Sequence, residues 1–203
     1  MITEVLSTEN PLALPRALEV LRNNNLVAFP TDTVYGLAGD PFSLAAINLI
    51  YDAKSREAAK AIAVLVGDLD QLSLVTLGLT DSARRLAERF WPGALTLVVP
   101  KHPKLPENLS SYPTVGVRMP NHPFALALLR LAGPLATTSA NISGGANAST
   151  PQDVLAQLNG RIPLLLDGGI CPGGVPSTVV DCTQDPPVIL RLGAISKEEI
   201  QNA

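Results

Sequence analysis

Five cations stand at or beside the ends of apolar runs in this chain: Lys54, Arg56, Lys60, Arg118 and Arg191. Clusters of hydroxyls occupy similar places, in Thr31-Asp32-Thr33, Thr137-Thr138-Ser139 and Ser177-Thr178, together with the glycine-rich stretches "SGG" (143–145) and "CPGG" (171–174). Arg118 and Arg191 interrupt segments that are otherwise apolar, "TVGVRM" (114–119) and "VILRL" (188–192). A charge placed inside a strand needs a partner, because an unpaired charge in a low-dielectric interior is costly. In α/β sheets ligands collect at strand ends. Several cations, many hydroxyls and close backbone approach together suit an anionic ligand of triphosphate type.

Each feature also has a plain structural explanation. Lys54 and Arg56 fit the C-terminal end of a helix, where cations favour the dipole. Arg118 and Arg191 could pair internally with Asp32, Asp167 or Asp181. "SGG" and "CPGG" fit ordinary turns, and the hydroxyls could satisfy backbone groups at strand ends. Common alternatives for a reactive site are missing. There is no G-x-x-x-x-G-K-[ST] loop, no G-x-G-x-x-G turn and no G-x-S-x-G elbow. The only histidines, His102 and His122, lie in proline-containing loops, and no His or Cys spacing suits a metal. Any chemistry here therefore rests on positioning and electrostatics, without a covalent protein nucleophile.

The elements that must position these groups alternate without a linker. Of 203 residues, 46% are apolar and 4% aromatic, which implies an aliphatic core suited to α/β layering. That length suits one domain, 1–203. Asn10 and Pro11 predict a helix start, with Leu14, Ala17, Leu18 and Leu21 at helical spacing. Strands are expected at 26–29, 34–38, 62–66, 94–100, 114–119, around 135–138, and at 163–167, 177–181 and 188–192. Helices are expected from Ser43 to about Ala53, near Asp68–Leu72, and over Asp81–Phe90 with Arg84, Arg85 and Arg89 on a solvated face. Three more are expected at about Pro123–Leu131, after Thr150-Pro151 and after Ser196. The fold class is a single mixed α/β domain. A net charge of −3 and a pI of about 5.3 argue against a generally basic nucleic-acid binder, leaving room for a local basic cleft. The N-terminus carries no leader and no stretch suits a membrane span, so no membrane partner and a cytoplasmic location are expected. Cys171 and Cys182 read as ordinary thiols.

Six motifs, "PTDTVYGL" (30–37), "KSR" (54–56) with Lys60 four residues beyond Arg56, "VGVRMP" (115–120), "TTSANISG" (137–144), "PSTVVD" (176–181) and "ILRLG" (189–193), occur in the order and approximate spacing of the YrdC/TsaC family. The chain resembles that family from about residue 10 to 195. The resemblance implies a twisted mixed sheet wrapped by helices around a basic concave cleft. It also implies threonylcarbamoyl-AMP synthesis from L-threonine, bicarbonate or CO2 and ATP, supplying the t6A modification of tRNA. On the same ground Lys54 and Arg56 are the candidate catalytic pair. Arg56, Lys60, Thr114, Ser139, Ala140, Asn141, Asn147 and Arg191 are then ATP contacts, and Thr33, Arg118, Thr138 and Ser177 are threonine contacts. Mg2+ is expected with ATP, and no protein metal cage. The tRNA and the t6A transferase machinery would be indirect partners, with direct RNA binding left open. The chain departs from the family pattern at Glu57, at Lys60-Ala61-Ile62, and at Leu65 where a histidine is often found. It ends soon after Gly193, which suggests the single-domain form. Two other readings stand beside this one: a paralogue making a different carbamoyl-adenylate, and a non-catalytic RNA-binding module.

Overall fold

The computed structural model describes residues 2–57 and 60–203. Among these the elements run β1 (Glu4–Ser7), α1 (Ala13–Arg22), β2 (Val27–Phe29), β3 (Gly36–Gly39), α2 (Leu44–Lys54), β4 (Ala63–Leu65), α3 (Leu72–Val75) and α4 (Asp81–Phe90). They continue β5 (Leu95–Pro100), β6 (Thr114–Arg118), α5 (Pro123–Ala132), β7 (Leu135–Ser139), α6 (Pro151–Leu158), β8 (Leu164–Asp167), β9 (Thr178–Asp181), β10 (Val188–Arg191) and α7 (Lys197–Gln201). All ten strands join one mixed sheet in the order β1-β8-β2-β3-β7-β4-β6-β5-β9-β10.

Strand periodicity sends alternate residues to opposite faces, and the two faces have different fates. On one, Val64, Val66, Leu95, Leu97, Val99, Val115, Val117 and Ala136 join a continuous core with residues of α2, α4 and α6. On the other, α1 and α5 cover Val27, Phe29, Ala38, Leu65, Leu135, Leu164 and Leu166. That second cover stops at Leu65 and Leu135. The same face of β4, β6, β5 and β9 beyond them carries Ala63, Gly116, Thr96, Val98 and Val179, and these line a cleft. The cleft is thus the part of the sheet that α1 and α5 leave uncovered, floored by small side chains.

Local signals account for most element starts. The Ser43, Thr80 and His122 side chains cap α2, α4 and α5, and Thr150 with Asp153 and Ser196 with Glu199 form reciprocal capping boxes. On α4, Ser82, Ala83, Leu86 and Ala87 face inward while Arg84, Arg85 and Arg89 are exposed. Three expectations shift. Asn10 does not cap α1: its Oδ1 accepts from the Leu12 N–H at 2.9 Å, a local turn that delays the helix to Ala13. The helix expected near Asp68 begins at Leu72, because Asp68 Oδ1 accepts from Gln71 N and Gln71 Oε1 from Gly67 N, which closes a turn first. Strand β1, absent from the sequence reading, pairs in parallel with β8 about 160 residues away, so nothing local announces it.

Candidate active site

The opening wall of the cleft is built from Thr31-Asp32-Thr33. Thr31 Oγ1 donates to Val34 O at 2.6 Å and accepts from Thr33 N at 3.2 Å, a hydroxyl-closed turn that consumes residues 31–35. Strand β3 therefore starts at Gly36 rather than Val34. Tyr35 is buried, and its backbone ties two other loops to this turn: Ala140 N donates to Tyr35 O at 2.7 Å, and Tyr35 N to Ala148 O at 2.9 Å. Its hydroxyl donates to Gly169 O at 2.8 Å. The "CPGG" loop closes on the same wall, with Gly174 N donating to Thr33 O at 2.8 Å.

Arg118 ends β6 in this wall and is 6% exposed. Its NH2 donates to Asp32 Oδ1 at 2.5 Å, its NH1 to Thr33 Oγ1 at 2.9 Å and its Nε to Gly93 O at 2.9 Å. Burial pulls the guanidinium pKa down, and the Asp32 carboxylate opposes that pull. The internal ion pair and the carboxylate-clamp reading are compatible, because a guanidinium has five N–H donors and three are used. On the other side, Thr96 Oγ1 and Ser177 Oγ lie 2.8 Å apart. Arg191 NH2 donates to Ser177 O at 2.8 Å. Arg191 has no carboxylate partner among the described residues, so the alternative of an internal pair with Asp32, Asp167 or Asp181 holds for Arg118 and not for Arg191. Asp181 is occupied by Thr183 and Gln184. Arg56 NH2 donates to Ala61 O at 2.9 Å, and burial lowers its pKa as it does that of Arg191.

One cavity of about 460 Å³ gathers most of the expected site residues: Thr33, Arg56, Thr114, Arg118, Thr138, Ser139, Asn147, Ser177 and Arg191. Alternation along β6 places Thr114, Gly116 and Arg118 on its floor while Val115 and Val117 are buried behind. Gly116 has a steric reason: a Cβ there would lie 3.1 Å from Thr96 Cγ2 and 3.4 Å from Ala63. Leu65 also lines the cleft, in register beside Arg118. Of two other grooves, the one of about 940 Å³ shares Arg191 with the cleft and adds Arg85 and Lys197 but has Ser82 as its sole lining hydroxyl, and the one of about 880 Å³ has a single arginine, Arg84.

Four expected contacts are not in the cleft wall. Lys54, 1% exposed, donates from Nζ to the backbone oxygens of both Ser139 and Asn141, and its own carbonyl accepts from Ser143 N at 2.9 Å. Neither a solvated helix end nor an open triphosphate ligand, it holds the 139–143 loop from behind. Burial and then the nearby Arg56 push its pKa down to about 7. Asn141 faces its own loop: its Nδ2 donates to Ile142 O and Gly145 O, both at 2.9 Å. Ala140 is fully buried. Lys60 is exposed and pairs with Glu57 at 3.6 Å, so the departure at Glu57 coincides with a cation drawn away from the cleft. Missed from sequence were Thr96, Val98 and Tyr112, which line the cleft; Thr137, read from sequence as one of a cluster of hydroxyls, lines it too. Strand alternation on 94–100 would have flagged Thr96 and Val98; Tyr112 carries no local signal. Cys171 and Cys182 are buried, with burial raising their pKa to about 11 and 12, as for inert thiols.

The model of a family designated Sua5_yciO_yrdC, described as "Telomere recombination", matches residues 19–193. The chain belongs to the Sua5/YciO/YrdC family. A threonylcarbamoyl-AMP synthase of Bacillus subtilis (strain 168) is 43% identical over 98% of this chain, which spans 58% of that relative's length. A putative threonylcarbamoyl-AMP synthase of Mycobacterium tuberculosis (strain H37Rv) is 40% identical over 91% of the chain and 85% of its own. Among solved structures, P. abyssi Sua5 complexed with L-threonine superposes with a TM-score of 0.92 at 38% identity, covering 99% of this chain and 59% of that one. The mixed α/β fold of the chain is that of the Sua5/YciO structures it superposes on.

Proposed function

We propose that this chain forms threonylcarbamoyl-AMP and pyrophosphate from ATP, L-threonine and bicarbonate or CO2. The observation that carries the reading is a single cleft holding a paired arginine, Arg118 with Asp32, and two arginines, Arg56 and Arg191, that have no carboxylate partner among the described residues. The names of the relatives support it. Threonine's amine adds to CO2, losing a proton, to give a carbamate. A carbamate oxygen then attacks the α-phosphorus of ATP, and the bond from that phosphorus to the bridging oxygen breaks to release pyrophosphate. Two anions must meet, so the protein's task is to lower their repulsion and align them.

Arg118 presents its unused N–H groups to the threonine carboxylate, bounded by the hydroxyls of Thr33, Thr138 and Ser177 and by Leu65. Arg56 and Arg191 take the phosphates, with Thr114, Ser139 and Asn147 beside the nucleotide. Lys54 acts through the 139–143 loop, and Ala140, Asn141 and Lys60 lie outside the contact set. Magnesium enters with ATP as part of that substrate. On this reading the phosphate oxygens of ATP carry the magnesium. The product is a mixed anhydride, which water destroys, and its use in t6A formation requires prompt transfer to a tRNA-modifying enzyme in the cytoplasm.

Labelled threonine, bicarbonate and MgATP incubated with the protein should give an AMP adduct that needs all three. ATP turnover indifferent to threonine would refute the reading, and salt-sensitive RNA binding without turnover would replace it with the RNA-binding alternative.

A further inference from the structure

Tyr112 stands out among the residues lining the cleft. Its side chain is 60% exposed, whereas the other aromatic residue there, Tyr35, is fully buried. Tyr112 thus supplies the only accessible aromatic face on the cleft wall among the described residues. Its backbone is held firmly. Ser110 is buried, and its carbonyl accepts from Lys101 Nζ at 2.6 Å; the Pro113 carbonyl accepts from Lys101 N at 2.9 Å. The Tyr112 N–H donates to Ser110 Oγ at 3.3 Å. A ring on an anchored backbone can serve as a fixed surface, because little entropy is lost when a ligand packs on it.

Position along the cleft says what that ligand part is. The inward face of β6 runs Thr114, Gly116, Arg118, at a rise of ~3.3 Å per residue. Tyr112 lies in the bend that leads into Thr114, the end of β6 opposite Arg118, so it stands at the end of the cleft away from the Arg118–Asp32 pair. An adenylate whose amino-acid carboxylate sits at Arg118 and whose phosphate passes Gly116 brings its base to the Tyr112 end. There Ala61 and Ile62 add apolar surface.

We infer that Tyr112 is the stacking platform for the nucleobase, a positioning residue that sets nucleotide affinity without choosing among purines. The inference rests on the proposed function for its ligand and deepens it by placing the base. Stacking uses the π-face that every base shares, so loss of the ring weakens ATP and GTP alike.

The probe is 2-aminopurine riboside triphosphate with magnesium, whose fluorescence is quenched by stacking, titrated into wild type and into Tyr112→Ala, Tyr112→Phe and Tyr112→Trp. Because Tyr112 is exposed, these variants should fold, which circular dichroism and the melting temperature verify. Quenching is expected in wild type, Phe and Trp and lost in Ala. In the pyrophosphate-release assay, KM for ATP should rise about tenfold in Tyr112→Ala, with KM for threonine within twofold. Tyr112→Phe should restore wild-type values. Unchanged quenching and ATP KM in Tyr112→Ala, or no quenching in wild type, overturns the platform. Tyr112-dependent quenching without threonine-dependent pyrophosphate release keeps the platform and overturns the synthase reading instead.

Discussion

Replacing Lys54 by Met should separate the loop-holding role of this residue from a direct role in phosphate binding. The side chain is enclosed, and its Nζ serves two carbonyls, those of Ser139 and Asn141. Methionine fills a similar volume but donates nothing. Two hydrogen bonds then disappear and two carbonyls lose their partner, together costing about 2–3 kcal/mol at a pH where the amine is largely neutral. In a domain of this size that lowers the melting temperature by roughly 4–12 °C.

The pH dependence of that loss has a definite sign. With the folded-state pKa down at about 7 against an ordinary 10.5, the unfolded chain binds more protons at this site between those values. The contribution of Lys54 to stability therefore rises with pH from about 7 towards 10.5 and is constant below, where both states are protonated. The difference in stability between wild type and Lys54→Met should be larger at pH 9 than at pH 6, because at pH 6 methionine also relieves a buried charge. Urea unfolding at the two pH values reads this directly. Alongside it, KM for ATP should rise more than KM for threonine, since the loop carries Ser139. A variant with wild-type stability and ATP KM, or a gap that narrows as pH rises, would refute the reasoning.

Asp32→Ala leaves the Arg118 guanidinium buried without its carboxylate and should cost about 3–5 kcal/mol in urea unfolding; a loss below about 1 kcal/mol would mean that the pair is solvated, as exposed pairs are. Arg118→Lys, which gives up planar two-point recognition, should raise KM for threonine more than tenfold while moving KM for ATP far less. A Cβ at Gly193 would lie 2.2 Å from Pro176 O and 2.5 Å from Ser177 C, so Gly193→Ala must displace the Ser177 backbone. Its KM for threonine should rise and its melting temperature fall; normal values for both would show that this strand end yields freely. Leu65→His alters the side chain next in register to Arg118 and should change threonine KM at least threefold, with ATP KM unmoved.

The sequence carried those parts of the site whose signals are local. Thr33, Arg118, Ser177 and Arg191 sit in motifs bounded by strand ends, and the cleft contains all four. Strand alternation together with caps such as Thr80, Thr150 and Ser196 also made most elements readable. What escaped depends on direction and on distance along the chain. Lys54 and Arg56 are two residues apart at a helix end, yet Ser55 takes a left-handed φ of 48°. Lys54 enters the protein while Arg56 turns along the chain to the carbonyls of residues 60 and 61. No motif distinguishes these two fates. Asn141 shares the "TTSANISG" motif with Ser139, yet its loop is folded back, with its N–H donating to Ser139 O at 3.0 Å. Strand β1 needed knowledge of β8, and Tyr112 needed the curvature of the whole sheet.

The way each cation is compensated explains how an acidic chain can hold an anion-binding cleft. The net charge is −3, yet none of the residues lining the cleft is acidic. Arg118 is matched by the one nearby carboxylate, Asp32, which fixes its plane and cancels its charge over a distance. Arg56 and Arg191 receive only backbone carbonyls and the Ser177 hydroxyl, which orient a guanidinium without neutralising it. Burial lowers the pKa of both, as it does that of Arg118. An entering polyphosphate supplies the missing charge, whereas a threonine carboxylate at Arg118 meets a guanidinium already paired with Asp32 and is selected more by geometry. The two anions are thus attracted by different physics: salt should weaken ATP binding more than threonine binding.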